Sequence, residues 1–447
     1  MDSCGLFFYD ASGNNDCLHT RLRISDVIKD KAVSWKDQLI EYLRQDLKDI
    51  FNCEVGFWIQ GSYKSHTLII PSQRNYTFDI DVGIYLFFDG IEEGIEASLV
   101  KQSLRDSLES FCSKHTECQV QDTKNACEGL KFPSFLTIDL PIYCMQEGKP
   151  KLATNKGWVD SDPKEIQDWL TKKFEKNTEK AQMKRVVRYF KAWVNIQWAG
   201  KKHKKIPSLA INVLVANNFY FSNDEEESFL RTTEKICDSL DQMLIVENPL
   251  NGVDLMGLNY EDEVFCHQKI QELNEVVTAC LEGIDSSLKI INYSNLFEHY
   301  FPQVTYNEEN NIINLPAIAK FPKIVISRYD KNGSHIVTTE TSNVSVYKGD
   351  SLTFSIANKM DFPLNSEVYW TVRNCGEQSI DANDIGHRIC TPIDKNHKRD
   401  CAYTGGHTME CMVYQYGVFQ GVCAVNVHVF SAKPIRKKSP IFKGVRR

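Results

Sequence analysis

The chain has no apolar run approaching the roughly 18 residues needed to cross a bilayer, which excludes a membrane-spanning helical protein. It opens without a basic segment, and MDSCGLFFYDASGNND brings in acids early, so a secretory leader is not expected. It has no internal repeat and no low-complexity stretch, which excludes solenoids and arrays. With 42% hydrophobic and 25% charged residues it is not fibrous or wholly disordered. It has no Cys-x-x-Cys pair, and its cysteines number 15. An odd count without a leader argues for reduced thiols and a cytoplasmic protein rather than a disulfide framework.

A broad basic face is missing too. The chain carries 52 Lys and Arg against 59 Asp and Glu, net −7. Residues 1–310 hold 34 basic and 48 acidic side chains, and residues 311–432 balance at 11 against 11. The basic excess lies in a tail, 433–447, with Lys433, Arg436, Lys437, Lys438, Lys443, Arg446 and Arg447 and no acid. Charge therefore gives no reason to require nucleic acid as a partner, and no membrane partner is expected.

At about 150 residues per domain the length fits two to three domains. Residues 24–51 predict a long amphipathic helix, with Ile24, Val27, Ile28, Ala32, Trp35, Leu39, Leu43, Leu47 and Ile50 at three- and four-residue spacing. A strand Val55–Gln60, a turn at Gly61-Ser62 and a strand Phe78–Phe88 follow. Residues 94–112 read as helix, and Phe135–Tyr143 as a third strand closed by Pro141. From Asp162-Pro163, a good helix start, helices are expected over 164–176, 179–199, 207–220, 227–246 and 261–283. After a proline-marked linker at 306–322 the period changes from about 3.6 to 2. Short strands over 323–329, 335–341, 344–347, 351–357, 367–374, 408–416 and 418–430, joined by turns, among them a hairpin at Asn332-Gly333, then predict a β-sandwich over 323–432. The expected fold class is α+β: residues 1–305 as one unit with a helical lobe from about 162, then an all-β domain.

Two stretches carry chemistry. In Phe78-Asp79-Ile80-Asp81-Val82-Gly83, residues two apart share a face, so Asp79 and Asp81 project together while Phe78, Ile80 and Val82 face a core. Paired carboxylates repel unless a cation neutralises them. Asp139 in Leu136-Thr137-Ile138-Asp139-Leu140 is a third acid in an apolar strand. If the strands pair, three carboxylates converge and can hold two magnesium ions, or manganese in their place, about 4 Å apart. Upstream, Gly61-Ser62 ends a strand and exposes amides and a hydroxyl that can cradle a phosphate. Against this stands the ordinary fate of alternating acids, a solvated sheet face.

On these residues the sequence resembles the polymerase-beta-type nucleotidyltransferases. Gln60-Gly61-Ser62 through Thr67, with Phe78–Gly83, is similar to the CD-NTase family of bacterial CBASS antiphage systems. The resemblance implies a polymerase-beta-type core and two-metal joining of nucleoside triphosphates into a cyclic oligonucleotide, with release of pyrophosphate. The diffusible product would reach a downstream effector. It implies Asp79, Asp81 and Asp139 as catalytic metal ligands and Gln60, Gly61 and Ser62 as nucleotide-binding. Lys184, Arg188 and Lys191 form a basic stripe; by resemblance Lys191 reaches the triphosphate, with Lys184 and Arg188 as further phosphate contacts. Ser208 after Pro207 is the matching triphosphate-binding serine, and Leu209 stands where relatives often carry a base-stacking aromatic.

Tyr369–Glu377 and Tyr403–Cys411 resemble the AGS-C module, a sensor-like domain, which implies an activating ligand or protein there. Cys390, His397, Cys401, His407 and Cys411 raise a zinc site, but their spacing gives no paired-cysteine pattern. Two other functions stay open: a template-independent transferase making linear products or modifying RNA or a small molecule, and a nucleotide-responsive sensor or scaffold.

Overall fold

The structure is a computed structural model that describes residues 4–8, 16–73, 76–88, 91, 94–133, 135–304 and 320–431. The basic tail 433–447 and residues 306–319 of the expected linker lie outside them. The chain divides into two compact units, Met1–Ala317 with Ile380–His387, and Ile318–Ser379 with Arg388–Arg447. Among the described residues no helix is long and apolar enough to cross a membrane.

In the first unit a helix spans Asp26–Phe51. Ser25 caps it, its hydroxyl accepting from the Ile28 amide at 3.2 Å, and Asn52 ends it in the left-handed region. Its buried stripe is Ile28, Ala32, Leu39, Leu43 and Leu47. With a helix at Ala97–Lys114 it shares a core with one face of an eight-stranded sheet. The strands are β1 (Val55–Gln60), β2 (Phe78–Leu86), β3 (Gln119–Val120), β4 (Glu128–Phe132), β5 (Leu136–Leu140), β6 (Ile142–Gln146), β7 (Lys149–Thr154) and β8 (Gly157–Asp160).

Pro141 does not close the third strand as expected. β5 and β6 both run parallel to β2 in one register, Asp81 beside Asp139 and Ile84 beside Ile142. A proline removes one donor. Here that loss falls where the strand's other neighbour changes from β4 to β7, and the Pro141 carbonyl still accepts from the Ile84 amide at 2.9 Å.

Helices at Pro163–Lys172, Asn177–Gln197, Ser208–Asn218, Glu225–Gln242 and Tyr260–Leu281 form the helical lobe, with a further one at Ser286–Phe297 that the periodicity did not indicate. Their shared core includes Phe190, Trp193, Phe229, Tyr293 and Phe297, and takes in Phe7 and Ile385.

The second unit is all β. One sheet has four strands in the order β10–β9–β12–β15, and another five in the order β11–β17–β16–β13–β14. They are β9 (Ile324–Tyr329), β10 (His335–Glu340), β11 (Asn343–Tyr347), β12 (Ser351–Ile356), β13 (Glu367–Cys375), β14 (Gly386–Pro392), β15 (His397–Asp400), β16 (Gly405–Gln415) and β17 (Val418–Phe430). Ile326, Phe354, Trp370, Val372, Met409 and Val427 fill the core between them. The Asn332-Gly333 turn joins β9 to β10, the Gly333 amide donating to Asp330 O.

Candidate active site

The alternation in β2 sends Ile80, Val82 and Ile84 into the helix-packed core and leaves Asp79 and Asp81 on the other face. The parallel register sets Asp81 beside Asp139 and Asp79 beside Thr137. The Thr137 hydroxyl donates to Asp79 Oδ1. Burial, opposed by that hydrogen bond, pushes the Asp79 carboxyl above its ordinary range, and the Asp139 charge adds to it. Burial and the charges of Asp139 and Asp79 raise Asp81 to about 6. Such a set binds a hard cation with oxygen ligands favourably, because the cation removes the repulsion. In the present conformation Asp139 is instead clasped by Lys124, whose Nζ donates to Oδ1 at 2.8 Å and Oδ2 at 2.6 Å. Gln121 Nε2 donates to Oδ1 at 3.1 Å. Among the described residues no three His, Cys, Asp or Glu side chains converge as one ion's ligand set.

Gly61 begins a one-turn helix, Gly61–Lys64, at φ +61°. A Cβ there would stand 1.9 Å from Asp81 Oδ2. Only glycine satisfies both constraints, so the turn lies directly against the carboxylate. Ser62 follows on the cavity wall, its carbonyl accepting from the Thr67 amide at 2.9 Å. The Gln60 side chain turns elsewhere: its Nε2 donates to Tyr85 Oη at 3.3 Å, and Tyr143 Oη donates to its Oε1 at 3.5 Å. Those tyrosines stack with ring centres 4.8 Å apart.

A cavity of about 380 Å³ opens beside these groups. Ser62, Asp79, Lys191 and Ser208 all line it, and its size suits a nucleotide-sized ligand. Lys191 is buried, donating to Thr67 Oγ1 at 3.0 Å and Thr67 O at 3.3 Å. Burial lowers its ammonium to about 7, against the pull of Asp81. Ser208 is the first residue of its helix, after Pro207. The other members of the basic stripe do not reach this cavity. Lys184 lines a smaller neighbouring one of about 40 Å³ with Ser65 and Thr67, and Arg188 Nη1 lies 3.3 Å from His19 Nδ1. A helix turns 100° per residue, so positions i, i+4 and i+7 share a stripe but spread over about 60° and about two turns, and they meet different neighbours.

Sequence reasoning missed four polar or aromatic groups here. Lys205 and Tyr76 line the cavity, and Lys124 and Gln121 hold Asp139. Lys205 stands three residues before Ser208, the one available signal. The others come from loops whose positions only strand pairing fixes. The zinc candidates do not gather: Cys390 is exposed, His397 stacks on Trp370, and Cys411 pairs with Cys423 across β16 and β17.

Residues 55–143 match the family described as Cyclic GMP-AMP synthase DncV-like, nucleotidyltransferase domain. Residues 303–429 match the Adenylyl/Guanylyl and SMODS C-terminal sensor domain. A protein of Escherichia albertii named Cyclic GMP-AMP synthase is 48% identical over 437 residues, 98% of each chain. Another of that name from Escherichia coli strain TW11681 is 25% identical over 37% of this chain and 49% of its own length. Among solved structures, Vibrio cholerae DncV with a linear intermediate aligns with TM-score 0.56 at 19% identity, over 65% of this chain and 96% of that one. Escherichia coli DncV in its 3′-deoxy GTP bound form gives 0.55 at 19%, over 66% and 96%. These two likenesses bear on the fold.

Proposed function

The chain belongs to the family of DncV-like nucleotidyltransferases, and from that premise we propose that it is a cyclic dinucleotide synthase acting on ribonucleoside triphosphates in the cytoplasm, its product a second messenger for antiphage defence that reaches an effector by diffusion. The full-length relative's name makes cyclic GMP-AMP the first product to look for.

The observation that carries this reading is the register of β2 against β5, which sets Asp81 beside Asp139 on the face that also bears Asp79. Asp79, Asp81 and Asp139 are the groups that would hold magnesium, or manganese in its place, with Lys124 moved off Asp139. Two such ions would neutralise the triphosphate and acidify the acceptor hydroxyl. The Gly61-Ser62 turn, Ser208 and Lys191 bind the donor triphosphate; Gln60 orients the turn through the tyrosine pair. Tyr76 offers a ring for the base that Leu209 cannot stack.

An acceptor 3′- or 2′-oxygen forms a bond to the α-phosphorus as the bond to the pyrophosphate oxygen breaks. The proton leaves on the Asp139 side, and Lys191 in its ammonium form faces the departing charge. A second transfer closes the ring. Positioning and fixed charge supply most of the acceleration.

A ligand-responsive role for the second unit is supported by the match of residues 303–429 to the sensor domain. Asn374, Arg399, Tyr403 and His407 line a cavity of about 10 Å³ there, room for about one water.

The test is incubation with all four ribonucleoside triphosphates, phosphatase treatment, and mass spectrometry of what survives, since a ring has no terminal phosphate to remove. A phosphatase-resistant cyclic dinucleotide is expected from the wild type. Asp79→Asn with Asp81→Asn is expected to give none while its circular dichroism is unchanged. Normal turnover by that double variant overturns the assignment; phosphatase-sensitive products alone mark a linear-product transferase.

A further inference from the structure

Lys124 and Asp139 form the tightest charged contact at the site, and nothing in the nucleotidyl-transfer reading uses it. The lysine meets both carboxylate oxygens, at 2.8 and 2.6 Å, which are the oxygens a cation would need. Its side chain is 46% exposed, while that of Asp139 is 17% exposed. The base of its loop, by contrast, is fastened from inside. Lys101, 4% exposed, donates to the carbonyls of Lys124 and Asn125 and pairs with Glu128 at 3.5 Å. Arg105 donates to Gln121 O and to Glu128 Oε2, each at 3.1 Å. Gly129, in register with Asp139, leaves room for the arrangement: a Cβ there would stand 2.7 Å from Gln121 Nε2 and 3.0 Å from Asp139 Oδ1. The loop is thus a rigid mount with a movable ammonium at its tip.

We propose that Lys124 is a resident counter-ion that competes with the divalent cation for Asp139, so that cation and nucleoside triphosphate must bind together. The proposal rests on the reading of Asp139 as a cation ligand. Without nucleotide, a cation must displace an ammonium already satisfying both oxygens, and the displaced charge keeps only its more distant attraction to Asp79 and Asp81. Lys124 does not itself line the cavity, but it feels the charge of Asp79, which does, so a triphosphate bound beside Asp79 offers the ammonium phosphate oxygens as a new partner and Asp139 is released. By linkage each ligand then raises the affinity of the other by the same factor. Before nucleotide arrives, Lys124 also offsets the repulsion among the three carboxylates.

The experiment is Mn²⁺ binding to the full chain, followed by the paramagnetic resonance of free Mn²⁺, with and without a non-hydrolysable ATP analogue. Lys124→Met is expected to bind Mn²⁺ about tenfold more tightly than wild type without nucleotide, and to lose most of the gain the analogue gives. Lys124→Arg, which keeps the charge, is expected to follow the wild type. Equal Mn²⁺ affinity and equal gain in Lys124→Met and wild type, with binding still weakened by Asp139→Asn, overturn the counter-ion role alone. Mn²⁺ binding indifferent to Asp139→Asn overturns the underlying site reading and the proposal with it.

Discussion

Gly61 and Asp81 show how closely the site is built at the scale of single residues. A methyl group at position 61 would overlap the Asp81 carboxylate, and φ +61° adds backbone strain for any other residue. Gly61→Ala is expected to cut kcat/KM by about 100-fold or more, since a displacement of about 1 Å at a reacting centre costs that much. Steady-state rates checked against unchanged circular dichroism test it. Asp81 also makes stability depend on pH in an unusual direction. Its folded pKa of about 6 lies above the ordinary 3.8, and Asp79 is raised as well. Between about pH 4 and pH 6 the folded state holds more of these protons than the unfolded one, so stability contributed here falls as pH rises through that window. Metal-free protein is therefore expected to gain thermal stability on going from about pH 7 to about pH 5 relative to magnesium-loaded protein, in which the cation replaces the protons. Melting curves with EDTA or magnesium that keep the same pH slope would contradict this.

The strands and helices carry these side chains to one place. Each strand the sequence did not reveal lies at or next to a sheet edge. β15 (His397–Asp400) is all polar and pairs with β12 alone, while β8 and β14 end their sheets. Edge strands face water on one side and carry charge to discourage pairing with other chains, so the apolar alternation that signals a strand is absent. The Ser286–Phe297 helix escaped for a different reason: polar Ser287 and Ser294 are buried along with Ile290, Ile291, Tyr293, Leu296 and Phe297, and the polar stripe of Ser286, Lys289, Asn292 and Asn295 is narrow, so the period is weak. Where a cap was legible it formed. Asp162 Oδ1 accepts from the amides of Lys164 at 2.9 Å and Glu165 at 3.2 Å, ahead of the Pro163–Lys172 helix. Asp162→Ala is expected to cost about 1 kcal/mol in denaturant unfolding.

For the whole molecule, chain order and packing units do not coincide. Residues 380–387, which follow β13 and include the first two residues of β14, belong with the first unit. Ile385 packs in the helical-lobe core, and its carbonyl accepts from Arg21 Nη2 at 3.2 Å. Arg21, 8% exposed, also donates through Nε to His299 O at 3.1 Å. Arg21→Ala strips a donor from two buried carbonyls and is expected to destabilise the first unit by about 1–3 kcal/mol. Calorimetry checks this by a lowered melting temperature for that unit.

The sequence by itself determined the features that short spacing controls. β1 and β17 have the ends read from their residues, the Asp26–Phe51 helix differs by two residues at its start, and the shared face of Asp79 and Asp81 comes from a two-residue repeat. These are local consequences of backbone geometry and of the need to bury every other side chain. Tertiary structure alone decided that Asp139 lies beside Asp81, that Lys191 lines the cavity while Lys184 and Arg188 do not, and that Lys124 clasps Asp139. Those facts depend on the register between strands and on which neighbour each turn of a helix meets. Both are set by packing between segments far apart in the chain, about which local spacing carries no information.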